Sequence, residues 1–231
     1  SARQKLLDDL NKFIKKFNEV HGDYAEMPPY EMDDLNKVCF QNATGSGKTL
    51  IMHINLLQFR NYLAKSGKLK DLSRVILLTP NERLTQQHID EFKESNIDCL
   101  KFVNNGGAFS EPLGENIVDA LEITKLSDKE GPNLIAARAL GTENLLLVDE
   151  GHRGMSGGRG AKQEEGAWFR NRNMLCENGF TFEYYATFQQ SLAAAGDTDL
   201  ENRYAKNILF DYSYRYFYGD GFGKDYQILN I

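Results

Sequence analysis

Residues 42–49 read Asn42-Ala43-Thr44-Gly45-Ser46-Gly47-Lys48-Thr49. Two glycines one residue apart permit a turn whose backbone N–H groups point inward, where they cradle phosphate oxygens. Lys48 has the charge and reach for the β- and γ-phosphates, and the Thr49 hydroxyl suits a Mg²⁺ ion. A helix starting here aims its positive end at the same anion. The stretch therefore predicts a P-loop fold, ATP as ligand and Mg²⁺ beside it. Ala43, Thr44, Gly45, Ser46, Gly47, Lys48 and Thr49 form the expected phosphate-binding set. The plainer reading, a glycine turn that happens to end in Lys-Thr, must put four residues in register by chance.

The surroundings agree with a P-loop. Val38 to Gln41 reads as a buried strand feeding the loop, and Leu50 to Lys65 as the following helix, with Gly67 near its end. The alternation then repeats. Arg74 to Thr79 is a β-rich run ended by Pro80, and Glu82 to Glu94 is helical in pattern. Ile97 to Val103 is a candidate strand, Asn104 to Gly107 a turn, and Asn116 to Leu126 a strand or its flank. Leu134 to Leu140 reads as helix, Asn144 to Val148 as a strand covered on both faces. Trp168 to Cys176 reads as helix and Phe180 to Ala186 as strand. Strands alternating with helices predict an α/β fold, a parallel sheet with helices on both faces. Ligands of such sheets bind beyond the carboxyl ends of the strands. Ahead of all this, Leu6, Leu7, Leu10, Phe13, Ile14 and Phe17 recur at helical spacing, and Met27-Pro28-Pro29-Tyr30 ends that helix.

The strand at Leu145 to Val148 runs into Asp149-Glu150-Gly151-His152-Arg153. Two carboxylates at the end of a buried strand need a cation, because unpaired charge there is costly. Asp149 is the candidate to hold Mg²⁺ opposite Thr49. Glu150 is the candidate to orient and deprotonate an attacking water, and His152 to sense nucleotide state. Adjacent strand residues point to opposite faces, so the two carboxylates are expected to part. The plainer alternative is a strand followed by an acidic turn.

Composition narrows the setting. The chain has 231 residues, 41% hydrophobic and 26% charged, with net charge −6. That fits a globular protein and counts against a surface wholly devoted to nucleic acid. A local basic groove remains open: residues 151–175 hold Arg153, Arg159, Lys162, Arg170 and Arg172 against Glu164 and Glu165. Cys39, Cys99 and Cys176 are scattered, which argues for reduced thiols, a cytoplasmic setting and no zinc site. No apolar run approaches the roughly 20 residues of a membrane span, and no signal peptide opens the chain. The chain starts Ser1-Ala2 and stops in an apolar run, Tyr226 to Ile231, which suggests a fragment of a longer protein.

Ala43 to Thr49, Asp149-Glu150-Gly151-His152 and Tyr185-Ala186-Thr187-Phe188 resemble motifs I, II and III of superfamily 2 helicases and translocases. Thr79 to Gln87 resembles motif Ia, which in that family touches the nucleic-acid backbone. The tracts Phe182 to Phe188 and Asp149 to Arg153 most resemble the restriction (Res) subunit of type III restriction–modification enzymes. The order and spacing match over nearly the whole chain. Four departures stand out. Asn42 opens the loop where Gly or Ala is usual, and Gly151 stands where Ala is common. Tyr185 replaces the Ser of Ser-Ala-Thr, with Phe188 following. No adenine-reading Gln motif precedes Asn42; Tyr30 or the N-terminal helix is the remaining candidate.

The resemblance implies a RecA-like motor domain over residues 37–231, with residues 1–36 as a helical segment packed on it. It implies that Lys48, Asp149 and Glu150 are catalytic, that Thr49 and Asp149 hold the metal, and that His152, Ala186 and Thr187 couple hydrolysis to motion. Thr79, Pro80, Arg83 and Arg153 are the nucleic-acid candidates. Expected partners are DNA, duplex in preference to single strand, a second RecA-like domain that this chain lacks, and a modification or specificity subunit. A nuclease motif is also missing, so the fragment alone is expected to turn over poorly. The alternatives are a stand-alone DEAD/DEAH-like helicase on DNA or RNA, a small-molecule phosphotransferase, and a nucleotide-gated binding module. Finally, Tyr212, Tyr214, Tyr216 and Tyr218 alternate. As a strand they would share one face, and packing on the sheet or on a second domain is favoured over stacking on bases.

Overall fold

The structure is a computed structural model that describes residues 1–22, 26–102, 117–127, 131, 134–150, 170–186 and 205–223. Among them, β1 (Lys37–Asn42), β2 (Arg74–Thr79), β3 (Asp98–Lys101), β4 (Ile117–Glu122), β7 (Asn144–Asp149), β8 (Phe180–Tyr185) and β9 (Ile208–Tyr212) form one sheet. Its order is β3-β4-β2-β7-β8-β1-β9, and every neighbouring pair is parallel. β5 (Leu126–Ser127) and β6 (Ile135–Ala136) pair separately.

The central strands β2 and β7 are buried at all six positions, as continuous apolar runs in a sheet covered on both sides must be. Their side chains alternate between two cores. Val75, Leu77, Leu145 and Leu147 pack with Met52 and Leu56 of α2 (Lys48–Lys65) and with Phe92 of α3 (Glu82–Glu94). Ile76, Leu78, Leu146 and Val148 pack on the other face with Ile135, Leu140 and Leu175. Each fully buried aliphatic side chain contributes about 1.5–3 kcal/mol relative to exposure. At the start of β7 the buried Asn144 amide donates to the carbonyls of Leu140, Gly141 and Leu175, tying three segments to the sheet. Gly179 runs against the same residue: a Cβ there would lie 1.9 Å from the Asn144 carbonyl oxygen, so only glycine fits.

Helix α1 (Ala2–His21) is capped by the Ser1 hydroxyl, which accepts from the Gln4 N–H. It packs on the segment before β1. Asn11 and Asn18 each bond both ways with that segment, to the backbones of Tyr30 and Met27. Tyr30 donates to the Lys206 carbonyl, just before β9, under the Lys206 ammonium. Since β9 and β1 are parallel, this places Tyr30 at the end of the sheet opposite the loop, and rules it out as the base contact in this arrangement. Among the described residues, no helix is long and apolar enough to cross a membrane.

Three sequence expectations are corrected. Leu134 to Leu140 is not an α-helix: Ile135 and Ala136 extend to pair with β5, and only Ala137–Leu140 coils, as a 3-10 turn. The apolar residues there serve the second core from an extended start, which helical spacing could not separate from a helix. The tyrosines do not alternate on one strand. Tyr212 ends β9, the Asp211 carboxylate accepts from the Ser213 N–H, and the chain turns into α4 (Tyr214–Gly219). Tyr214, Tyr216 and Tyr218 lie on that helix, each about half exposed. Asn42 does not open the loop: it is the last residue of β1, paired with Tyr212. The expected turn at 104–107 and the glycine-rich stretch 151–166 lie outside the described residues, as does the start of the 168–176 helix, which is seen over residues 170–175.

Candidate active site

The order β7-β8-β1 puts the loop strand and the acidic strand one strand apart, with their carboxyl ends on the same edge. After Asn42, the Ala43 N–H donates to the Tyr212 carbonyl at 2.8 Å, and the Ser46 N–H returns to the Ala43 carbonyl at 3.1 Å. Gly45 and Gly47 have φ of 82° and 85°. A Cβ at either would meet nothing within 4 Å, so the glycines serve the backbone turn and leave open space around the loop. Lys48 opens α2, whose N-cap is Gly47. Ala43 is buried, Ser46 and Thr49 are half-buried, and Thr44 is exposed.

Lys48 Nζ lies 2.8 Å from Asp149 Oδ1 and 2.5 Å from Glu150 Oε1. The two carboxylates were expected to part to opposite faces; they converge on one ammonium. The reason is local. β7 stops at Asp149, and Glu150 takes φ of 49°, a left-handed conformation that costs a non-glycine residue about 1–3 kcal/mol. Backbone bonds on β8 hold it there: the Glu150 N–H donates to the Tyr184 carbonyl at 2.9 Å, and the Ala186 N–H donates to Glu150 Oε1 at 3.0 Å.

Burial works against charge on Lys48, but Asp149 and then Glu150 hold its pKa above the ordinary lysine value. Burial likewise pushes Asp149 up, and the His88 hydrogen bond with the Lys48 charge outweighs it, leaving Asp149 below the ordinary carboxylate value. Lys48 and Asp149 thus each favour the charged form of the other. His88, on α3, donates from Nε2 to Asp149 Oδ2 at 2.8 Å, and it is as buried as its partner. Sequence reasoning missed it. The available signal was its place with Thr85 and Phe92 on the core-facing stripe of α3, where a polar ring needs a partner.

The residues fit a polyanion with a hard cation. The Ser46 hydroxyl and both polar atoms of the Asn42 amide are buried without a hydrogen-bond partner among the described residues. The donors among them, the Ser46 hydroxyl and the Asn42 amide N–H groups, suit a ligand rich in acceptors. Among the described residues, no group of three or more His, Cys, Asp or Glu could hold a metal.

Other candidates are dispersed. Thr79 is fully buried, its hydroxyl 2.5 Å from that of Thr85, while Pro80 is half-buried and Arg83 exposed. Of these three, Arg83 alone presents a whole side chain to solvent. His152, Arg153 and Thr187 lie outside the described residues. Arg172, counted above toward a basic groove, is instead buried in an ion pair with Glu183. Tyr185, the departure from Ser, donates its hydroxyl to the same Glu183.

The family described as "Type III restriction enzyme, res subunit" matches residues 2–190. No curated protein matches the chain. Among solved structures, the Pyrococcus furiosus Hef helicase domain is 17% identical, with TM-score 0.47, over 88% of this chain and 39% of that one. The Sulfolobus solfataricus SWI2/SNF2 ATPase core, solved with dsDNA, is 14% identical, with TM-score 0.46, over 79% and 41%. An arterivirus nonstructural protein 10 helicase, solved with DNA, is 15% identical, with TM-score 0.36, over 66% and 29%. The chain thus spans less than half the length of each of these three. On a family match over most of its length, the chain, built on a parallel α/β sheet, belongs to the family described as type III restriction enzyme, res subunit.

Proposed function

We propose that this domain binds and hydrolyses ATP to drive movement along DNA, duplex in preference to single strand, as the motor of a type III restriction or related defence enzyme in the cytoplasm. One observation carries the reading: Lys48 at the start of α2 meets Asp149 and Glu150 at the end of β7, and the backbone just past β8 holds Glu150 through the Ala186 N–H. In this reading residues 43–47, Ser46 included, and Lys48 take the phosphates. Lys48 then exchanges carboxylate for phosphate, which frees Glu150 to orient water and accept its proton. Thr49 and Asp149 would hold Mg²⁺, which neutralises charge on the transferred phosphoryl group. Ala186 passes the state of Glu150 to Thr187 and His152. Thr79, Pro80, Arg83 and Arg153 are the residues assigned to DNA, with Arg83 and Arg153 supplying charge. Residues 1–36 brace the motor domain at 37–231, a second RecA-like domain supplies the cation that completes the site, and a modification subunit supplies sequence recognition.

ATP turnover by the full-length protein tests this, measured alone, with duplex DNA and with single strands. Duplex is expected to stimulate most. Stimulation by single strands or RNA alone would replace the reading with a stand-alone helicase. Tight nucleotide binding without turnover would make the domain a nucleotide-gated module. The chain of 231 residues by itself is expected to turn over slowly; rates like those of a two-domain motor would refute the need for a second domain.

A further inference from the structure

We propose that His88 is a positioning residue for hydrolysis: it fixes the Asp149 carboxylate for the metal and joins it to α3. The inference deepens the ATPase reading and rests on it. A carboxylate free to rotate presents either oxygen to a cation. Here Oδ2 is taken by His88 Nε2 at 2.8 Å, and Oδ1 is left facing Lys48 at 2.8 Å. The His88 ring has no freedom to follow a rotating carboxylate, being 2% exposed on the core stripe of α3. Its other nitrogen makes no hydrogen bond among the described residues; the nearest acid, Glu91, is 3.8 Å away. The ring is therefore committed to Asp149, in the way that partners behind a ligand set its orientation and basicity.

The same helix is anchored one turn earlier. The Thr85 hydroxyl bonds to the Thr79 hydroxyl and to the Asn81 carbonyl at 3.0 Å, and the Asn81 side chain caps α3 by accepting from the Leu84 N–H. A continuous path of buried contacts thus runs from the end of β2 through α3 to Asp149. A displacement of the β2–α3 turn, where Thr79, Pro80 and Arg83 sit, moves the His88 ring and with it the carboxylate.

A ring that merely fills the core predicts none of this, and two substitutions separate the cases. His88→Leu fills the space without a donor. His88→Gln places an amide N–H near the position of Nε2. In the full-length protein with bound ADP, Mn²⁺ affinity is measured by paramagnetic resonance, beside thermal melting and the Mg²⁺ dependence of turnover. His88→Leu is expected to weaken Mn²⁺ binding about 10–100-fold, with metal-free ADP affinity within about twofold of wild type, and His88→Gln is expected to restore most of the loss. Equal Mn²⁺ affinity in wild type and a folded His88→Leu overturns the proposal, as does a His88→Gln that behaves like His88→Leu. Should His88→Leu not fold, His88→Gln against the shorter His88→Asn gives the same comparison, and equal affinities again overturn it. A wild-type protein that binds no ADP, or Mn²⁺ equally with and without ADP, would instead sink the ATPase reading.

Discussion

Two clusters of buried charge flank β8, and they differ in whether their bonds can be exchanged. At one, both oxygens of Glu183 are engaged, one by Arg172 and one by the Tyr185 hydroxyl, and the Glu183 side chain is 0% exposed. At the other, Lys48 bridges Asp149 and Glu150 while keeping 16% of its side-chain exposure. Glu150 sits in a left-handed conformation, and the Ser46 hydroxyl and Asn42 amide have no hydrogen-bond partner among the described residues. In the first cluster both carboxylate oxygens are taken, and the pair braces the sheet. In the second, one lysine is shared by two carboxylates, so a polyanion can take over the lysine. Buried charge alone therefore does not mark the site; replaceable partners beside open backbone do.

The contrast can be broken in four places. Glu183→Leu leaves Arg172 buried without its anion and should cost about 3–5 kcal/mol in urea unfolding. The folded protein should still bind nucleotide as before, and a selective loss of nucleotide affinity would erase the distinction. Lys48→Ala should weaken nucleotide binding about 100-fold, the value of a charge-assisted contact of about 3 kcal/mol; Glu150→Gln should keep binding and lose turnover in the full-length protein. Unchanged titration of Lys48→Ala with a fluorescent ATP analogue would remove the lysine from its role. The third place is pH. The folded pKa of Asp149 lies below its unfolded value, so its contribution is present above the unfolded pKa and is lost as pH falls through the lower folded value. Unfolding followed through the acid range should show that slope, and Asp149→Asn should flatten it. The smallest effect is at α3: Asn81→Ala removes the cap and should cost about 1 kcal/mol, leaving nucleotide affinity unchanged.

Where the sequence carried a strong local period, it specified the fold to the residue. The apolar run Arg74 to Thr79 is β2, and the amphipathic stretch Glu82 to Glu94 is α3. The loop was legible because its glycines are required by positive φ whatever surrounds them. What was not legible depends on contacts distant in sequence. Glu150 turns because β8 supplies the Tyr184 carbonyl and the Ala186 N–H. His88 looks like any core histidine until Asp149, 61 residues later, is placed against it. The tyrosines at 212–218 alternate in sequence, but the Asp211 carboxylate and Ser213 turn the chain between the first and second of them. Arg172 reads as surface charge until Glu183 folds back beneath it.

The position of β1 in the sheet also dictates an order of events during synthesis. β1 comes first along the chain, yet its neighbours are β8 and β9. The strands β3, β4, β2 and β7 are contiguous in the sheet and complete by residue 149, so a nascent chain of that length already carries four neighbouring strands. The phosphate-loop strand waits through it without a partner, as non-local parallel pairing does. It docks on β8 and is closed by β9, whose residues 208–212 lie past the end of the family match at 190. The strand that carries the loop therefore gains its last neighbour late in the chain, and a chain released before β9 emerges carries the loop on an unsealed edge.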